Sequence, residues 1–191
     1  MSLEKKVATF KKAAELKKKT FDGAVEFYNS KSFKWIEYSK QSVLNKTSKI
    51  TSAVYIFIVR NPSTCVKKIL TSVGDIKRIQ KNNKLPKLNA NYKDKESFKE
   101  NGCLYIGSIT SEILEKRIKQ HWRENDKDVS DSTYALKLCD WINDAKISEK
   151  DVMVYFCDMT GQKREIIRVI EDLLATMYSP LLGKRGDSSK G

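Results

Sequence analysis

Two apolar stretches decide the reading of this chain: Ala53-Val-Tyr-Ile-Phe-Ile-Val59 and Cys103-Leu-Tyr-Ile-Gly107. Both are β-branched and aromatic and both end in turn formers, the first at Asn61-Pro62 and the second at Gly107. That composition reads as buried strand. A third stretch, Val152-Met-Val-Tyr-Phe-Cys157, has the same character. Helical spacing follows the second strand: Ile113, Leu114, Arg117, Ile118, His121 and Trp122 recur at three- and four-residue steps. Thr110 or Ser111 is placed to cap that helix, which is expected to run to about Glu124. Ser132 is placed to cap another, Thr133 to Ala145, and a long helix is expected over Lys163 to Tyr178, closed by Pro180 and Gly183. From residue 50 the order is therefore β, insertion, β, α, α, β, α. This is an α+β layout, with a small three-stranded mixed or antiparallel sheet flanked by helices.

Outside these strands the chain is polar. Residues 2–20 read as a basic helix, with Leu3, Val7, Phe10, Ala14 and Leu16 set among lysines, and Asp22-Gly23 is expected to end it. Residues 24–44 hold Phe27, Tyr28, Phe33, Trp35 and Tyr38 and read as one or two further helices, joined to the first strand by a polar connection over 45–52. Residues 63–72 and 75–82 each suit a short helix. Lys81 to Glu100 reads as a long exposed loop, and 124–131 as an acidic one. The expected organisation is a basic helical N-terminal extension over 1–50, a domain over 51–185 with an insertion at 61–101, and a flexible tail over 186–191.

With 191 residues and 40% apolar composition, the chain suits a single domain that needs no disulfide or metal to fold. No apolar run approaches the ~20 residues of a membrane span. The start, Met-Ser-Leu-Glu-Lys-Lys, puts charge where a secretory signal has its apolar segment, so a cytoplasmic location is expected. Four cysteines, at 65, 103, 139 and 157, and one histidine lack the spacing of a zinc site.

The net charge is +13, and it is uneven. Residues 1–50 carry 12 basic against 5 acidic side chains and residues 51–101 carry 11 against 4, whereas 102–191 carry 14 against 15. A basic excess confined to the first half points to a polyanionic partner, nucleic acid ahead of a membrane surface. Lys11, Lys12, Lys18 and Lys19 on the first helix are the candidate phosphate contacts, and a merely solvated helix face is the competing reading.

Five residues stand out as carriers of chemistry. Tyr55 and Tyr105 lie in the two strands. Arg117 and His121 are one turn apart on one helix face. Glu171 sits in a mostly apolar helix stretch, where a carboxylate facing inward is costly unless paired or metal-bound. Helical spacing leaves open whether Glu171 or Asp172 points inward.

In this order the five residues resemble the GIY-YIG nuclease family. The second tripeptide is intact as Tyr105-Ile106-Gly107, and the first is degenerate as Ala53-Val54-Tyr55. Arg117 follows Gly107 by ten residues, His121 comes one turn later, and Glu171 heads a stretch that ends at Pro180. Three features depart from the pattern. The gap between the two tyrosines is long, Ser108-Ile109 stands where Lys or Arg is common, and Gly183 stands where an Asn is often found.

The resemblance implies a metal-dependent endonuclease acting on nucleic acid, most simply double-stranded DNA and in a restriction-type role, with Mg2+ or Mn2+ held by Glu171. Arg117 would grip a phosphate oxygen. A tyrosine would deprotonate the attacking water, with Tyr55 as base, Tyr105 as orienting partner and His121 accepting the phenolic proton, or with the tyrosines reversed. A non-cleaving nucleic-acid-binding module on a degenerate nuclease fold is the alternative.

Overall fold

The computed structural model describes residues 3–38, 50–79, 95–123 and 135–183, with side chains described over 11–38, 50–76, 98–123 and 135–183. Residues 81–94 of the expected loop, the acidic loop 124–131, the Ser132 cap, most of the 45–52 connection and the tail 186–191 lie outside the described residues.

The protein is α+β, built on an antiparallel sheet of four strands rather than three. These are β1 (Ile36–Tyr38), β2 (Ala53–Val59), β3 (Cys103–Ile109) and β4 (Val152–Asp158). Their order across the sheet is β1-β4-β2-β3. Strand β2 lies inside the sheet, pairing Tyr55 with Gly107 on one side and with Phe156 on the other. Its continuous apolar sequence follows from that position, because both of its faces are covered. Ala53, Tyr55, Phe57 and Val59 face a core shared with α2 (Pro62–Ile79), α3 (Lys95–Asn101), α4 (Leu114–Trp122) and the segment 136–147. Val54 and Ile56 face a second core shared with α5 (Arg164–Tyr178) and α1 (Leu3–Asn29).

Several helical expectations are corrected. Asp22-Gly23 does not break α1, which runs for 27 residues. Ala24 is fully buried in the α5 core, and a Cβ built on Gly23 would meet Ile166 at 3.7 Å. Packing against α5 outweighs the weak helix propensity of glycine. Residues 24–44 supply the end of α1 and then β1, not further helices. Three residues are too few to show a period, and β1 owes its strand form to its pairing with β4. Phe33 and Trp35 ahead of it pack edge-on at 5.5 Å in the same core as α1. The boundary drawn at residue 50 thus falls between two strands of one sheet.

The two short helices expected after β2 are one, α2. Within the expected loop, residues 95–101 form α3 and bury Phe98. Helix α4 starts at Leu114 behind Ile113, with no side-chain cap, so neither Thr110 nor Ser111 caps it.

The expected helix over 133–145 is absent among the described residues. Lys137 adopts a left-handed conformation, φ 51°, and a single 3-10 turn over Leu138–Asp140 follows. Of the apolar residues that suggest that helix, Ala135, Leu136, Leu138 and Trp141 are buried, but on a chain of turns, and Cys139 is exposed. The Trp141 indole Nε1–H donates to the Leu136 carbonyl at 2.9 Å and ties the segment to itself.

Candidate functional site

Antiparallel pairing of β2 with β3 sets Tyr55 opposite Gly107 and Phe57 opposite Tyr105. Side chains alternate across a strand, so both tyrosines project toward α4. Gly107 is required there. A Cβ at that position would fall 2.6 Å from Tyr55 Oη and 2.8 Å from Tyr105 Cε1. The glycine of the tripeptide is therefore the floor on which the two rings rest.

Helix α4 brings Arg117 and His121 over the same point. His121 Nε2 lies 2.9 Å from Tyr55 Oη. Arg117 Nε–H donates to the same oxygen at 3.3 Å. On the far side of the imidazole, the backbone N–H of Leu136 donates to Nδ1 at 3.0 Å. The His121 ring is also walled by Tyr105 and Phe57, at centroid distances of 4.9 and 5.1 Å. Burial, joined by the Arg117 charge, pushes the His121 pKa well below the ordinary value, so the imidazole is neutral.

Arg117 is held twice. Besides Tyr55 it donates through Nη1 to Gln120 Oε1 at 2.9 Å, and Gln120 Nε2–H donates on to Glu112 Oε1 at 3.1 Å. Burial opposes the Arg117 charge, but Tyr55, Tyr105 and Glu112 outweigh it and raise the pKa. Burial likewise raises the Tyr55 pKa, against the lowering effect of the Arg117 charge and hydrogen bond and of a hydrogen bond with Tyr105.

Glu171 sits on the other side of the sheet, on α5. It is half-buried while Asp172 is exposed, which settles the choice that helical spacing left open. Ser108, paired with Val54, points to the same side, and its Oγ–H donates to Glu171 Oε2 at 2.5 Å. Burial raises the Glu171 pKa, and the neighbouring Asp172 adds to this. Ser108, Arg168 and Arg117 pull the other way. The Glu171 charge is felt at Tyr55 as well. Four of the five expected residues thus meet in one cluster, and the fifth is linked to it through Ser108 on β3 and through charge. Gly183, φ 125°, lies at the rim, where a Cβ would meet the Tyr105 ring at 3.4 Å.

Sequence reasoning misses Gln120, Glu112, the Leu136 amide and the role of Ser108. Gln120 carries a signal, since it follows Arg117 by three residues on the same helix. Ser108 is visible only as a departure from a pattern. The Leu136 amide has no signal, because a backbone group has no identity in sequence. Lys11, Lys12, Lys18 and Lys19 are all exposed on α1, far along the sequence from the tyrosine cluster. Comparison with protein-family models, curated proteins and solved structures finds no match to this chain.

Proposed function

We propose that this protein is a GIY-YIG-type endonuclease that hydrolyses phosphodiester bonds in DNA with Mg2+ or Mn2+. One observation carries the reading. Tyr55, His121 and Arg117 share hydrogen bonds at one hydroxyl oxygen, with the Glu171 carboxylate within electrostatic reach. Hydrolysis of a phosphodiester needs an aligned water and positive groups where charge builds on phosphorus oxygens. Arg117 supplies a fixed cation whose orientation is set by Tyr55 and Gln120. The tyrosine pair supplies hydroxyls that can orient a water or a phosphate oxygen.

The residues fit a hard divalent ion. Among the described residues no three His, Cys, Asp or Glu side chains converge, so the protein's share is the Glu171 carboxylate with the Ser108 hydroxyl beside it. Magnesium keeps most of its waters and takes one or two carboxylates plus substrate oxygens, so such a donor set suits it. Bound there, the ion would polarise the scissile phosphate and stabilise the leaving oxygen. The raised Glu171 pKa is consistent with a carboxylate whose charge is incompletely matched by the protein alone.

Phosphate grip is assigned to α1. Residues 11–19 are exposed throughout, including Lys11, Lys12, Lys17, Lys18 and Lys19. The helix is about 40 Å long at 1.5 Å per residue. Its C-terminal half packs on α5, the helix that carries Glu171. Among the described residues no helix is long and apolar enough to cross a membrane.

The near-complete burial of Tyr55, 1% exposed, favours a second reading, a non-cleaving nucleic-acid-binding module whose network is structural. Plasmid cleavage separates the two. Supercoiled DNA is incubated in magnesium, manganese or EDTA with the parent or Glu171→Ala. Metal-dependent nicking or linearisation that vanishes in the variant supports the nuclease. Salt-dependent retardation of intact plasmid supports the binding module. Equal cutting by Glu171→Ala overturns the assignment of the metal carboxylate.

A further inference from the structure

The direction of each hydrogen bond around Tyr55 follows from a backbone group. An amide N–H can only donate, so the ring nitrogen facing Leu136 accepts and carries no proton. A neutral imidazole has one N–H, and here it must therefore sit on Nε2. Nε2 faces Tyr55 Oη at 2.9 Å. An Nε2–H cannot take up a hydrogen bond, so His121 donates to the phenolic oxygen. Arg117 Nε–H donates to the same oxygen. A phenol oxygen receiving two N–H groups has its acceptor positions filled, and its own O–H must point outward.

We propose that the Leu136 amide locks His121 as an Nε2–H donor, making His121 a positioning residue that holds the Tyr55 hydroxyl and not a base that takes its proton. This departs from the expectation that His121 accepts the phenolic proton. The polarity runs one way, from the Leu136 amide through His121 to Tyr55. Tyr55 is the inner, clamped hydroxyl, and Tyr105, 7% exposed against 1%, is the outer one. The left-handed Lys137 is part of the device, because it turns the chain directly after the amide that faces the ring. The mechanistic meaning of this lock rests on the nuclease reading. The direction of the bonds does not.

The chain holds a single histidine, so one imidazole accounts for the whole side-chain signal in 15N NMR of histidine-labelled full-length protein. The expected spectrum shows Nδ1 as an unprotonated acceptor and Nε2 as protonated, in the parent and unchanged in Tyr55→Phe. Because Tyr55→Phe keeps the ring, its folding is checked by the backbone amide spectrum. A protonated Nδ1, or an imidazolium, in the parent overturns the proposal. A tautomer that changes in Tyr55→Phe overturns the lock, since Tyr55 and not Leu136 would then set it. Protein that shows the expected tautomer yet leaves plasmid intact sinks the nuclease reading and leaves this assignment standing.

Discussion

On the α4 side of the sheet, Tyr55 and His121 are 1% and 0% exposed, and both imidazole nitrogens and the Tyr55 oxygen are engaged. On the α5 side, Glu171 is half-buried, hydrogen-bonded to Ser108, and left with a carboxylate that burial makes reluctant to ionise. The first arrangement is complete without a ligand. A buried network with every partner in place is rigid, and removing one member strands the others. The second is incomplete in the direction of negative charge, which a cation would relieve. Strand β3 joins the two, with Tyr105 and Gly107 turned toward one side and Ser108 toward the other. On the nuclease reading the α5 side offers the metal carboxylate, while the α4 side holds the tyrosines and Arg117 in a network that also supports the fold. Substitutions on the α4 side should be felt first in folding, and those on the α5 side first in activity.

The largest effect expected from that division is at Glu171→Ala. Cleavage should fall by a factor on the order of 10²–10³ or more while the fold holds, read by plasmid nicking alongside urea unfolding. A large loss of stability would contradict the division. His121→Ala should show the opposite balance. It leaves a cavity, an unpaired Leu136 amide and one fewer donor to Tyr55, and should cost about 2–4 kcal/mol of stability. At about pH 4, where the folded chain holds the Glu171 carboxyl protonated, Glu171→Gln should stay within about 0.5 kcal/mol of the parent.

Gly107→Ala tests the strand that joins the faces. The added methyl meets the Tyr55 hydroxyl and the Tyr105 ring. Overpacking of this kind costs about 1–3 kcal/mol, measurable as a lowered urea midpoint at unchanged slope.

Acidity should separate the faces further, because they respond with opposite sign. His121 is held neutral by burial, so below about pH 6.5 the unfolded chain binds a proton that the folded chain refuses. That contribution lowers stability as pH falls through the histidine range and is level above it. Glu171 has a raised pKa in the folded chain, so the folded state keeps its proton to higher pH than the unfolded state. Its contribution lowers stability as pH rises from the ordinary glutamate range, about 4.3, through the raised value. Unfolding of parent and Glu171→Gln compared across this range should differ by the second slope alone. Equal slopes would remove the pKa argument for the α5 side.

The smallest effect calibrates the rest. Gly74 lies inside α2 with nothing within 4 Å of a built Cβ. Gly74→Ala should raise stability by about 0.5–1 kcal/mol without touching either face, read as a higher urea midpoint.

Much of this site is legible in the chain, and the reasons are local. Short apolar runs rich in β-branched and aromatic residues read as buried strands, so β2, β3 and β4 are visible. Helix α5, with its clean period and its stop at Pro180, is visible for the same kind of reason. Arg117 and His121 announce a shared helix face through their spacing. β1 is not legible, because three residues have no period and gain their form from a partner distant in sequence. Asp22-Gly23 misleads because propensity is weak beside packing. The stretch 133–145 misleads because an apolar pattern reports burial, and burial is met here by turns after a left-handed lysine.

The α+β class, the positions of the central strands and the identity and order of Tyr55, Tyr105, Arg117, His121 and Glu171 follow from the sequence alone. The class and the strands depend on residue type and on periods of two and 3.6, properties of a chain read along its length, whereas the five residues are singled out as a set by their ordered resemblance to a family pattern. It takes the tertiary structure to turn Glu171 and not Asp172 inward, to set Ser108 beside the Glu171 carboxylate, and to aim a backbone amide at His121 from Leu136. Most of these are contacts between residues far apart in sequence, and their geometry exists only once the sheet has brought its strands and helices together.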